Sequence, residues 1–205
     1  MASHSALVGA GIDWEARYIA SDTPWDKGAA HPALIDHLKK QPITGRVLVP
    51  GCGAGHDVRA LAENPASSVL GIDIAPTALR VARSFPRAGN ESYLEGDFLA
   101  GDAVEAGSFD LIFEHTCFCA IPPIRRKDYV NAASDALPSG GLILAVFFTN
   151  PENADPSTPP FRCEMNEIGD LFSEDFEFLE SDELISTFRE RKGRETLCLL
   201  RKKTL

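Results

Sequence analysis

The sequence predicts an α/β protein built on a doubly wound, mostly parallel sheet of seven strands with helices on both faces. Short, mostly apolar runs of strand length alternate with helical patterns, and the run LILAVFF at 142–148 is apolar at every position. A strand that is apolar throughout needs cover on both faces, and the βαβα order supplies the crossover helices that give it. Ligands of such sheets bind beyond the carboxyl ends of the strands, so the turns that follow the apolar runs are where chemistry is to be sought.

The first strand is expected at 46–50 (RVLVP), ending in a glycine-rich turn, and a helix follows at 57–64 with Val58, Leu61 and Ala62 on one side. Residues 69–74 (VLGIDI) read as the second strand, and Pro76 stands where a first-turn proline is tolerated in a helix over 76–84. A third strand falls at 91–94 and a fourth at 109–113 (FDLIF). A helix over 125–137 is stopped by Pro138 and Gly140-Gly141, before the fully apolar fifth strand at 142–148 (LILAVFF). A proline-rich loop at 150–161, a short helix at 164–172 and two last strands at 176–179 and 196–200 complete the pattern.

The chain has 205 residues, 44% of them apolar, which suits one domain over 1–205. Thirty acidic against 20 basic side chains give a net charge of −10 with no basic stripe, which argues against a nucleic-acid partner. No apolar run approaches the roughly 20 residues of a membrane helix, and the first residues carry no basic segment ahead of their apolar ones, so a cytoplasmic protein is expected. Five cysteines, an odd number spread over the chain, point to reduced thiols. Cys117-x-Cys119 lacks a second pair at zinc spacing, so no metal is expected.

The turn after the first strand reads Gly51-Cys52-Gly53-Ala54-Gly55, and the second strand delivers Asp73 twenty residues past Gly53. Glycines let the backbone approach a ligand closely, and a carboxylate at that strand tip can accept both hydroxyls of a ribose. The dinucleotide fingerprint would need glycine where His56 stands, so the turn suits a nucleotide without a pyrophosphate. Gly96-Asp97, after the third strand, offers a second carboxylate, either to the amino group of an adenine or simply to its own turn.

These motifs resemble the thiopurine S-methyltransferase superfamily, and within it the thiol and halide (thiocyanate) methyltransferase branch. The likeness covers nearly the whole chain: VLVPGCGAGHDV at 47–58, VLGIDI at 69–74, FDLIFEHTCFCAIPP at 109–123, PPF at 159–161 and RKGRE at 191–195. Trp14, Tyr18 and Trp25 are similar to the aromatic segment that covers the cofactor in these enzymes, which makes 1–28 a lid. The resemblance implies a Rossmann-like class I methyltransferase fold and S-adenosylmethionine as cofactor. Gly51 is then at the methionine end, with Gly53 in the same turn, Asp73 at the ribose, and Gly96 and Asp97 at the adenine. His115 falls near the transferred methyl and is the candidate catalytic residue. An aromatic lid suits a sulfonium, whose charge is attracted by ring quadrupoles.

Glu114-His115-Thr116 departs from the Asp-Tyr-Thr common in the thiol and halide branch. A neutral His115 can take a proton from a thiol, a protonated one can hold an anion, and a histidine that merely satisfies a strand end is the third reading. Methyl transfer to a thiol, sulfide, thiocyanate or halide needs alignment and exclusion of water more than acid–base machinery, which fits a chain with no triad. Cys52 and Cys117, with no neighbouring Lys or Arg in the sequence, read as packing residues. The rivals are an O- or N-methyltransferase using Glu114 or His115 as base, and a nucleotide-binding scaffold without catalysis.

Overall fold

The computed structural model of the chain describes residues 12–64, 67–149, 151, 155, 157–183 and 185–204. The first eleven residues of the expected lid therefore lie outside the described residues. The elements run α1 (Trp14–Ile19), α2 (Pro32–Lys40), β1 (Gly45–Pro50), α3 (His56–Ala62), β2 (Ser67–Asp73), α4 (Pro76–Ser84), β3 (Glu91–Glu95), β4 (Leu111–His115), α5 (Arg126–Ala136), β5 (Leu142–Phe148), α6 (Met165–Phe172), β6 (Phe176–Asp182) and β7 (Glu195–Lys202). The seven strands form one sheet in the order β3-β2-β1-β4-β5-β7-β6. β7 runs antiparallel between β5 and β6, and every other pairing is parallel. This is the Rossmann-like class I methyltransferase arrangement.

Alternation along the strands divides the core in two. Val47, Val49, Leu111 and Phe113 pack on one face with Leu34, Val58 and Leu61 of α2 and α3. Leu48 and Ile112 pack on the other with Tyr129, Val130 and Phe172 of α5 and α6. The central strands thus bury both faces, which is why residues 47–50 of β1 and all of β5 are apolar, while the edge strands β3 and β6 are largely exposed. The strand order reverses between β1 and β4, and at such a switch point the neighbouring loops part to leave a crevice. Among the described residues no helix is long and apolar enough to cross a membrane.

β4 and α2 differ from expectation, and β6 runs three residues past its expected end, to Asp182. The fourth strand lies at Leu111–His115, two residues later than its apolar run. Asp110 takes the Arg46 N–H on its carboxylate at 2.7 Å and returns its own N–H to the Arg46 carbonyl, so the β1–β4 ladder begins only at Val47 and Leu111. Glu114 and His115, polar but paired with Ala145 and Val146, extend the far end. α2 lies outside the expected elements, although Pro32 at its first turn, Leu34 and Leu38 one turn apart and Lys39-Lys40 at its end are helix signals.

The N-terminal segment is fastened to the sheet layer through α4. Ala75 cannot cap that helix, and Glu15 of α1 does so from outside, accepting the Thr77 N–H at 2.8 Å and its hydroxyl at 2.5 Å. An anion at a helix start also meets the positive end of the dipole. Replacing Glu15 by Ala is expected to speed amide exchange in α1 roughly tenfold while leaving β1 and β5 unchanged, since a charge-assisted bond contributes about 1.5–3 kcal/mol. Hydrogen exchange read by mass spectrometry checks this, and equal exchange in both proteins would show that the latch does not hold α1.

Candidate active site

A cavity of about 460 Å³ opens at the switch point. One end is lined by Gly51, Asp73, Gly96 and Asp97, at the tips of β1, β2 and β3. Thr116 and Cys117 line the cavity from the turn after β4, with Cys117 against Gly51, and Phe148, Pro159, Pro160 and Arg191 line it from the end of β5, the loop after it and the approach to β7. Trp14, Tyr18 and Trp25 face it from the N-terminal segment.

The glycine turn is shaped by contacts that exclude side chains. Gly51, Gly53 and Gly55 have φ of 58, 52 and 72°, in the left-handed region. A Cβ on Gly51 would meet the Cys117 sulfur at 2.9 Å, and one on Gly53 the Tyr18 hydroxyl at 2.8 Å. Asp73 closes the turn: its Oδ2 accepts the Gly53 N–H at 2.8 Å and its Oδ1 the Ala75 N–H at 2.9 Å. Burial pushes its carboxyl up, against the pull of those N–H groups. Each oxygen has a second lone pair, and the residue lines the cavity, so Asp73 can hold the turn and accept a ribose hydroxyl together. Asp97 likewise accepts the Leu99 N–H at 2.9 Å, and the Gly96 N–H is fixed on the Asp73 carbonyl at 3.0 Å.

The three aromatic residues form one cluster. Trp14 and Trp25 meet edge to face at 5.3 Å, Tyr18 and Trp25 at 5.7 Å, and the Trp25 indole donates to the Tyr18 hydroxyl at 3.1 Å. Burial, with the charge of Asp73, drives the Tyr18 hydroxyl well above the ordinary phenol range, so it stays protonated. Arg17 lies over the Trp25 ring at 4.4 Å, so these rings already stack on a cation in the way expected for a sulfonium.

His115 is placed otherwise than expected. It is not among the residues that line the cavity: side chains on a strand stand off its two faces, whereas the cavity lies beyond the strand's end. The first residues past β4, Thr116 and Cys117, reach the wall instead. Thr116 has φ of 62°, a costly conformation for a β-branched residue. The turn is held by Glu114, whose carboxylate accepts the Phe118 N–H and the Tyr129 hydroxyl, both at 2.7 Å. Glu114 is thereby spent on structure, and burial raises its pKa to about 7.

His115 instead donates from Nδ1 to Asp57 at 2.8 Å and faces Arg191 with Nε2 at 3.2 Å. Arg191 also bonds Glu195 at 3.0 Å, and His31 bonds Glu195 at 2.9 Å. His31, His115 and Glu195 bring ligand atoms within 4.8 Å of one another, but they come from distant parts of the chain and the cation among them is the Arg191 guanidinium. Although burial pushes the Glu195 carboxyl up, bonds from His31, Thr187 and Arg191 hold it at about 2.

Seven of the nine expected site residues line the cavity: Trp14, Tyr18, Trp25, Gly51, Asp73, Gly96 and Asp97. Gly53 lies in the supporting turn, and His115 is behind the wall. Sequence reading missed the cations Arg17, Lys27, Arg125, Arg191 and Arg194 on the lining. The RKGRE motif that contains Arg191 was the available signal. Cys52 has Arg59 and Arg83 near enough to lower its pKa, but burial outweighs both and keeps it a thiol. Burial and the charge of Glu114 do the same for Cys117.

The thiopurine S-methyltransferase family matches residues 10–204. Thiocyanate methyltransferase 1 of Brassica oleracea is 33% identical over 190 residues, covering 90% of this chain and 82% of the relative. Probable thiol methyltransferase 2 of Arabidopsis thaliana is 36% identical over 159 residues, 75% of this chain and 68% of the relative. A solved structure reported for the conversion of a disulfide bond into a thioacetal group during echinomycin biosynthesis shares the fold, with a TM-score of 0.77 at 23% identity over 92% of this chain and 90% of that one.

Two expectations follow. Asp73→Ala should lower both S-adenosylhomocysteine affinity, at least tenfold, and thermal stability, because it strips the acceptor from two buried N–H groups at about 1–3 kcal/mol each. Calorimetry beside thermal melts decides it, and lost affinity at unchanged stability would show that the carboxylate does not hold the turn. Glu114 has a folded pKa above its unfolded one, so its contribution is full below about 4.5 and is lost as pH rises through about 7. Glu114→Gln mimics the protonated acid, and melts from pH 5 to 8 should show the wild type losing stability relative to the variant; parallel curves would refute the buried acid.

Proposed function

We propose, for a chain that belongs to the thiopurine S-methyltransferase family, that it methylates a small soft nucleophile: a thiol, sulfide, thiocyanate or halide. The cofactor is S-adenosylmethionine, which when bound supplies a methyl group activated by positively charged sulfur. Its site fits the chain's own residues, because a Cβ at Gly51 would clash with Cys117 and Asp73 offers carboxylate lone pairs to the cavity. Asp73 and Asp97 would bind the ribose and adenine ends, and Gly51 would leave room at the methionine end. Trp14, Tyr18 and Trp25 would close over it and exclude water, with 1–28 as the lid of a domain spanning 1–205.

The observation that carries the acceptor class is the chemistry of the far wall. Among the described residues lining it, no side chain is placed as a general base. Glu114 is committed to Phe118 and Tyr129, and His115 lies behind the wall. Glu190 is paired with Lys27 at 2.8 Å, and Cys117 is held as a thiol. The rest of the wall is apolar surface from Phe148, Pro159, Pro160 and Ile121, with Thr116, Arg191 and Arg194 beside it. Such a wall suits an acceptor that arrives as an anion, is weakly hydrated and needs only alignment. Oxygen and nitrogen acceptors need their proton removed, and this wall supplies nothing to remove it. The thiol and thiocyanate names of the plant relatives agree with that reading.

A panel of thiocyanate, iodide, sulfide, a small thiol, a thiopurine, a catechol and a primary amine, followed by S-adenosylhomocysteine release, tests it. Turnover is expected with the sulfur and halide acceptors and not with the last two. With a thiol of pKa near 8.5, kcat/KM should rise up to about tenfold per pH unit below that value, while thiocyanate stays flat. A preference for the catechol or amine overturns the proposal.

A further inference from the structure

Behind the acceptor wall lies a closed ring of five residues drawn from four separate parts of the chain. Asp57, in the first turn of α3, accepts the His31 N–H on Oδ1 at 2.7 Å and the His115 Nδ1–H on Oδ2 at 2.8 Å. With Nδ1 donating, Nε2 presents a lone pair, and Arg191 Nη1 donates to it at 3.2 Å. The same Nη1 donates to Glu195 Oε1 at 3.0 Å. Glu195 Oε2 accepts from His31 Nε2 at 2.9 Å, and His31 Nδ1 accepts the Ala33 N–H at 3.1 Å, which fixes that tautomer as well. We propose that Asp57 and His115 are positioning residues whose joint hold on Arg191 sets how well the cavity retains an anionic acceptor. This rests on the acceptor reading above.

The ring holds two carboxylates, Glu195 on the guanidinium itself and Asp57 one imidazole away, so the pull of Arg191 on an anion is softened and its placement becomes decisive. Glu195 lies four residues from Arg191, and the tightest pairing open to them is a two-point fork between guanidinium and carboxylate. That fork would draw Arg191 off the wall. His115 prevents it by taking part of Nη1, and the Trp25 carbonyl at 3.5 Å and the Phe148 ring at 5.1 Å hold the guanidinium from the other sides. Asp57 acts one bond further back: it holds His115 in the tautomer that accepts.

The chain's only two tryptophans, Trp14 and Trp25, both line the cavity, and iodide is both a candidate acceptor and a contact quencher of indole fluorescence. Iodide titrated into the S-adenosylhomocysteine complex should quench in a saturable phase. His115→Phe keeps a ring to pack on His31, now 4.7 Å from His115, but offers Arg191 no lone pair. It should raise the apparent iodide Kd at least fivefold, as should Asp57→Ala, the order of one lost charge-assisted hydrogen bond. His115→Gln presents an amide donor to Asp57 and a carbonyl to Arg191, and should recover the wild-type Kd to within about twofold. Acrylamide, a neutral quencher, should act alike on all four proteins. The proposal is overturned by an equal iodide Kd in wild type and His115→Phe, by no saturable phase in wild type, or by failure of His115→Gln together with raised acrylamide quenching. Methyl iodide formation is measured separately: saturable iodide binding without it removes the halides from the acceptor reading and leaves the positioning role supported.

Discussion

The hydrogen bond from the Gly53 N–H to the Asp73 carboxylate ties the glycine turn after β1 to the tip of β2, and the rest of the site is built against that turn. Three left-handed glycines in five residues have no regular secondary structure to hold them, so the turn's shape depends on what it touches. The Cys52 N–H meets the Ile72 carbonyl at 3.1 Å, Cys117 lies against Gly51, and Tyr18 lies against Gly53. The N-terminal segment, the second strand and the turn after β4 therefore meet on one short stretch of bare backbone. A side chain on Gly51 or Gly53 would disturb all of them together.

Much of this was legible because it is local. Apolar runs of strand length gave the sheet, Pro76 and the pair Gly140-Gly141 gave a helix start and a helix end, and the spacing of Gly53 and Asp73 pointed to the part of the cavity proposed for the cofactor. The beginning of β4 was not legible. Phe109 is as buried as a strand residue, and only the cross-strand use of Asp110 shows that the ladder opens later. The role of His115 was hidden for a related reason. Its partners Asp57 and Arg191 lie 58 and 76 residues away, and which face of the strand it occupies depends on a register that polar residues at a strand end do not announce.

Burying His31, Arg191 and Glu195 beside the partly buried Asp57 and His115 is expensive unless each finds its partners, and the ring around Arg191 meets that condition by closing on itself. It also joins the beginning of the chain to its end, since His31 precedes α2 and Glu195 opens β7. A second buried cation does comparable service on the opposite side. Arg126 donates to the carbonyls of Phe161 and Arg162 at 3.2 and 2.9 Å, anchoring the loop that carries Pro159 and Pro160 to the cavity.

The strand order has a consequence for how such a protein diversifies. The residues proposed to hold the nucleoside follow β1, β2 and β3, on one side of the switch point, while the acceptor wall hangs from β4, β5 and the β6–β7 hairpin on the other. The two sets of loops share a cavity but no strand. Apart from Cys117, which lies against Gly51, and Arg125, which pairs with Asp97 at 3.7 Å, the second set can change with little effect on the first, and a lineage can exchange one nucleophile for another by rewriting those loops while its methyl source is inherited unchanged.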